Sequence, residues 1–164
     1  MTMPKIITMT QEELTATVKY AGAYPHQHYR KGSLSLVNNE VEAKKHNRET
    51  CVLISKGCLL DLTGDITIHP WVYISTGAQI WTHQHPHAGT QPLLLQEEVK
   101  GSLFTYHINK VVSRDVWIYA AVILPQCDFI AQGCVIGLGA VVTKPINEPF
   151  TIWAGNPALK VGHR

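Results

Sequence analysis

The sequence predicts an all-β solenoid, a parallel β-helix built from strands only a few residues long. Two observations carry that prediction. An aliphatic residue recurs at every sixth position, at Val112, Ile118, Leu124, Ile130, Ile136 and Val142. A helix repeats its buried face every three to four residues and a strand every two, so neither produces this spacing over such a run. A fixed longer period marks a stack of similar units that share one continuous core. Two residues before these positions stand Val116, Val122, Cys134 and Ala140, which is strand alternation inside each six-residue unit. Lys110 and Asp128 interrupt that second row.

Composition sets the outer limits. The chain has 164 residues, the size of one domain with a real core. Charged residues make up 16%, which is low and fits a solenoid that buries much of each coil. A net charge of +2 argues against a nucleic-acid binder, which carries a dense basic patch. No secretory-length apolar core opens the sequence and no membrane-length apolar run follows. The expectation is a soluble, cytoplasmic protein that does not insert into membranes. The four cysteines fall in two phrases, CVLISKGCLL from Cys51 and CDFIAQGCVI from Cys127. Both read C-x-x-I-x-x-G-C, so the pairs occupy equivalent places in two repeats and lack the close CxxC spacing of structural zinc sites. They read as reduced packing residues, with Cys58 and Cys134 in the small inward slot.

Residues 1–50 do not repeat and are expected to cap the solenoid. Within them Thr10 to Glu13 reads as a capping box that opens a short helix, TQEELTATVKYA. Residues 24–50 are polar, with His26 and His28 read as surface side chains. Residues 51–164 form the solenoid. Deep positions begin at Ile54 and Leu60, continue after an eight-residue unit at Ile68, and then run through Ile74 and Ile80. Ile66, Val72 and Ala78 are their inward companions, and Trp71 and Tyr73 should point outwards. The register is then lost until Val112. That gap holds a loop extruded over residues 82–110, beginning with His83, His85 and His87 at alternating positions. Long insertions in a repetitive scaffold are usually functional.

Four phrases give the sequence a resemblance to a known family: ITIHPWVYISTGAQIWTHQHPH, DVWIYAAVILP, VIGLGAVVTKPI and WAGNPALKV. Together they resemble the left-handed parallel β-helix acyltransferases of the hexapeptide-repeat superfamily, above all the branch of maltose, galactoside and surface-polysaccharide O-acetyltransferases. The left hand is implied by the resemblance alone, since generic connection rules favour the right. The resemblance also implies acetyl-CoA as cosubstrate, a homotrimer with active sites between subunits, and a catalytic histidine in the extruded loop. The matching residue is His85, before Pro86 and three after Thr82. A neutral imidazole removes a hydroxyl's proton as the oxygen attacks a thioester. No residue reads as an acyl-enzyme nucleophile, so transfer is expected to be direct.

His83 and His87 are read as loop residues that help bind the acceptor. For CoA the resemblance implies Trp117, Ala120, Leu138, Gly139, Thr143 and Lys144, with Lys160 and Arg164 near the nucleotide phosphates. Gly155, Asn156 and Pro157 read as a tight turn that brings the tail back across the coil. Tyr119 and Leu138 depart from the family's small residues. The family's N-terminal maltose or galactoside motif is absent, which moves the expected acceptor to sugars of surface polysaccharides or their nucleotide-linked precursors. Three alternatives stand beside this one: transfer to the amine of an amino sugar or drug-like molecule, a γ-carbonic-anhydrase-like zinc protein, and a non-catalytic trimeric module. The zinc reading implies three histidines across a subunit interface, two of them five apart in the later repeats, and residues 112–144 contain none. No metal is expected.

Overall fold

The computed structural model describes residues 5–9, 21–22, 32–47, 51–55, 57–84 and 106–164. The expected helix TQEELTATVKYA lies outside them except for its last residue, Ala21, which is in a strand, and His26, His28, His85 and His87 lie outside them as well. The described chain winds into a three-sided coil in which each turn places one short strand on each of three parallel walls. The first wall contains β3 (Leu34–Asn38), β6 (Ile66–Ile68), β11 (Lys110–Val112) and β14 (Phe129–Ile130), with β1 (Lys5–Met9) added antiparallel at its edge. On the second lie β4 (Leu53–Ile54), β7 (Tyr73–Ile74), β12 (Trp117–Ile118), β15 (Val135–Ile136), β17 (Thr151–Ala154) and β18 (Leu159–His163). The third comprises β2 (Ala21–Gly22), β5 (Cys58–Leu60), β8 (Gln79–Ile80), β13 (Val122–Ile123) and β16 (Val141–Val142). A separate antiparallel pair, β9 (His83–Gln84) with β10 (Tyr106–His107), joins the two ends of the long insertion.

Register explains the six-residue period. Ile68, Val112 and Ile130 are ladder partners on the first wall, and Ile130 bridges onward to Ile146. Ile54, Ile74, Ile118, Ile136 and Trp153 form the ladder of the second wall. Leu60, Ile80, Ile123 and Val142 form that of the third. A side chain at one of these positions is stacked on its equivalent one coil away, at the usual strand spacing of about 4.8 Å. Most are fully buried, and each contributes roughly 1.5–3 kcal/mol of hydrophobic stabilisation. Ile66, Val72, Ala78, Val116, Cys134 and Ala140 fill the second inward row as expected. All four cysteines are buried and free, and Trp71 and Tyr73 are half-exposed.

One expected core position is corrected. The deep residue of β13 is Ile123, with Ala121 as its companion, while Leu124 and Val122 are only half-buried. The corner between Ile118 and Ile123 is one residue shorter than its counterparts at Ser75–Ala78 and Gly137–Ala140, because it lacks their left-handed glycine. The following corner, Leu124 to Asp128, carries the compensating extra residue. Its backbone is satisfied from inside: Lys110 Nζ donates to the carbonyls of Leu124 at 2.9 Å and Pro125 at 3.1 Å, and also to that of Cys127. Lys110 therefore occupies an inward slot and is buried. Burial pushes its ammonium down to about 8, against a partial counter-effect from Cys127 and Asp128.

Residues 24–50 hold more regular structure than their composition suggests. Besides β3, Glu40–Lys45 form α1, opened by Asn39, whose side chain accepts the Glu42 N–H at 3.1 Å. At the far end β17 and β18 pair antiparallel across the expected Gly155–Pro157 turn.

Candidate functional site

The insertions between Leu60 and Ile130 all fall on one edge of the prism, the corner that leads from the third wall back to the first. Leu60 to Ile68 has two extra residues there, Ile80 to Val112 carries the extruded segment, and Ile123 to Ile130 has one extra residue. Regular corners have no room for a polar cluster, whereas this edge contains one. Asp61 is fully buried at its centre. Its Oδ2 lies 2.6 Å from His83 Nδ1 and accepts the backbone N–H of Thr82 at 2.8 Å and of His83 at 3.1 Å. Its Oδ1 accepts the Thr63 N–H at 3.1 Å and the Thr63 hydroxyl at 2.9 Å. The Thr82 hydroxyl lies 2.7 Å from the Asp61 carbonyl, in donor geometry, and also accepts the Gly64 N–H at 2.9 Å. Burial by itself would raise the Asp61 carboxyl, but the hydrogen bonds from His83, Thr82 and Thr63 outweigh it. They hold the group well below the ordinary carboxylate range.

His83, expected to be an acceptor-binding loop residue, is buried against Asp61, with its ring 6.0 Å from that of Trp81. A cavity of about 340 Å³ lies in front of it, bounded by Trp81, Gln84, Leu124, Pro125 and Gln126. Gln126 donates to Gln84 across this cavity. A histidine held through Nδ1 by a carboxylate has a fixed ring orientation. Sequence reasoning did not single out Asp61, and it marked Lys110 only as an interruption of the second inward row. The available signals were the two-residue surplus after Leu60 and a charged residue in an inward slot at position 110.

The residues expected to hold CoA divide between two edges. Ala120, Leu138 and Gly139 come together where the second wall turns to the third, with Gly139 N–H donating to the Ala120 carbonyl at 2.8 Å. Leu138 is 78% exposed there. Thr143 and Lys144 lie beyond β16 on the irregular edge, with Lys144 Nζ 6.0 Å from the centre of the Trp153 ring. Trp117 stands on the outer face of β12, between Tyr73 at 5.3 Å and Tyr119 at 6.2 Å between ring centres. Lys160 pairs with Glu148 at 2.6 Å and Arg164 with Asp115 at 2.8 Å.

Trp117 and Tyr73 also border a larger cavity of about 750 Å³ on the second wall, whose remaining boundary includes Leu53, Trp71, Asp115 and Arg164. Trp71 has a φ of 65°, in the left-handed region, and its ring meets that of His46 edge-on at 5.3 Å. A bulky residue held there costs about 1–3 kcal/mol. Among the described residues no group of three or more metal-ligating side chains occurs, and no helix is long and apolar enough to cross a membrane.

The described chain is a three-walled parallel β-solenoid, a fold that it shares with solved acetyltransferases. Among solved structures it is similar to a maltose O-acetyltransferase from Clostridium difficile 630. The two are 27% identical with a TM-score of 0.58, over 68% of this chain and 55% of that one. A hexapeptide-repeat acetyltransferase from Vibrio cholerae O1 biovar eltor, solved with acetyl coenzyme A, shares the fold at 23% identity and a TM-score of 0.59. That match covers 68% of this chain and 56% of that one. In sequence, a chloramphenicol acetyltransferase of Klebsiella aerogenes is 44% identical over 57 residues, which is 34% of this chain and 26% of that protein. The chain thus spans about a quarter of the curated relatives it matches and a little over half of these solved ones. No family model matches it.

Proposed function

We propose that this protein is an acetyl-CoA-dependent acyltransferase that acetylates a sugar hydroxyl directly, using a histidine general base. The observation that carries the reading is the buried Asp61–His83 pair at the root of the extruded segment. It anchors, two residues upstream, the segment that bears His85. A buried carboxylate with this many donors is costly to assemble unless the geometry it imposes matters. His85 accepts the acceptor's hydroxyl proton as the oxygen attacks the thioester carbonyl, and returns a proton to the departing sulfur. Ala120, Leu138 and Gly139 on one edge, with Thr143 and Lys144 on another, offer backbone, hydroxyl and cationic contacts to the cosubstrate. Those two edges belong to one CoA track in a homotrimer, where edges of neighbouring chains meet. The maltose O-acetyltransferase likeness supports hydroxyl transfer to a sugar.

A second acceptor class has its own support. The 44% identity over 57 residues to a chloramphenicol acetyltransferase favours a drug-like acceptor on the same machinery.

Thiol release from acetyl-CoA, measured across sugars, amino sugars, nucleotide sugars and chloramphenicol, tests the proposal. His85→Ala should lower turnover by about 10²–10⁴-fold, the range for a lost general base. Full activity in that variant would sink the assignment, and activity on chloramphenicol alone would select the second class.

A further inference from the structure

We propose that the large cavity on the second wall is a glycan-binding groove that takes at least two linked, uncharged pyranose units. This deepens the proposed function, and rests on it for the purpose of the bound sugar; the groove itself is argued from its walls. Leu53, Tyr73 and Trp117 are ladder partners on adjacent strands with their side chains outward, so they form a stair along the coil axis. The Tyr73 and Trp117 rings are 5.3 Å apart and tilted by 59°, and Tyr119, two residues along the chain from Trp117, lies beside that ring at 6.2 Å. Aromatic faces offered on two adjacent coils, each still partly exposed, suit a ligand that repeats an apolar face at a comparable step. A chain of pyranoses does this through the C–H faces of successive rings.

The polar groups select the same class. Asp115 and Arg164, 2.8 Å apart, place an acceptor and a donor at the groove wall, the combination that hydroxyls need. Their charges cancel, so the pair leaves no surplus cation for a phosphate. That disfavours the CoA nucleotide or a nucleotide sugar as occupant. A volume of about 750 Å³ lies within the range of small-molecule sites and exceeds one sugar ring. Trp71, in its left-handed turn, closes one side. Within one chain the groove also lies away from His83 and Gln84, which stand on the edge between the third and first walls, opposite the second.

The test is tryptophan fluorescence and saturation-transfer NMR on the full chain with maltotriose, cellotriose, a β-1,3-glucotriose, glucose, UDP-glucose and acetyl-CoA. At least one trisaccharide should bind ten-fold or more tighter than glucose. Trp117→Ala and Tyr73→Ala should each weaken it ten-fold or more with an unchanged circular dichroism spectrum, and Trp117→Phe should restore most of the binding. Absence of saturable binding by every trisaccharide overturns the proposal, as does competition by acetyl-CoA or UDP-glucose. It also falls if Trp117→Ala alters the sedimentation coefficient while the parent binds no saccharide, since the face then serves self-association. Thiol release measured in parallel separates the two readings. Glycan binding without turnover on any acceptor supports the groove and removes the transferase, whereas turnover on sugars that Trp117→Ala leaves untouched removes the groove.

Discussion

Asp61 and Lys110 are both charged, both buried, and do different work. Asp61 organises backbone at the entry to the histidine segment. Neutralising a buried carboxylate that accepts several hydrogen bonds weakens each of them, at a typical cost of about 1–3 kcal/mol. Asp61→Asn is therefore expected to lose stability of that order, measured by urea denaturation at pH 7. The folded carboxyl ionises at lower pH than its ordinary value of 3.8, so its contribution is complete above that value and drains away as pH falls towards the folded one. The gap between parent and variant should accordingly be widest near neutrality and narrow below about pH 4. Lys110 instead caps three carbonyls at the widened Leu124–Asp128 corner. Lys110→Met keeps its length and removes its donors, which should cost about 1–3 kcal/mol for the unsatisfied carbonyls. A variant as stable as the parent in the same denaturation assay would show that water replaces the ammonium.

At the scale of elements, corners decide where the strands stop. The edge from the first wall to the second repeats a left-handed residue in each coil: Trp71, Asp115, Gly133 and Phe150. Gly133 is required twice over, by its φ of 73° and because a Cβ there would meet the Phe150 ring at 2.3 Å. Gly139 has a similar φ of 71° but nothing within 4 Å of a Cβ. Gly139→Ala should cost only the left-handed backbone, about 1–2 kcal/mol. Gly133→Ala adds a steric clash and should cost clearly more. Equal losses in thermal denaturation would mean that the Phe150 ring moves aside freely.

At the scale of the molecule, the coils form a stack in which each unit touches its neighbours. Ile118 sits between Ile74 and Ile136 in the ladder of the second wall. Ile118→Ala opens a cavity in the middle of the stack and should cost about 2–5 kcal/mol. Hydrogen exchange should then quicken in β7 and β15 together, on both sides of the gap. Quickening confined to β12 would mean that the coils are not energetically coupled.

The sequence by itself determined the solenoid, because a short repeating core forces the same residue type into every sixth place. The Cys58 and Cys134 slots, the outward Trp71 and Tyr73, and the break in register after Ile80 were legible for the same reason. The tertiary structure alone decided the rest. Ile123 displaced Leu124 because a missing corner residue can be made up at the next corner, and a count along the chain does not reveal where a turn shortens. Asp61 met His83, and Tyr73 met Trp117, through coil stacking between residues far apart in sequence. That stacking gathers polar groups on one irregular edge and aromatic rings on the wall opposite.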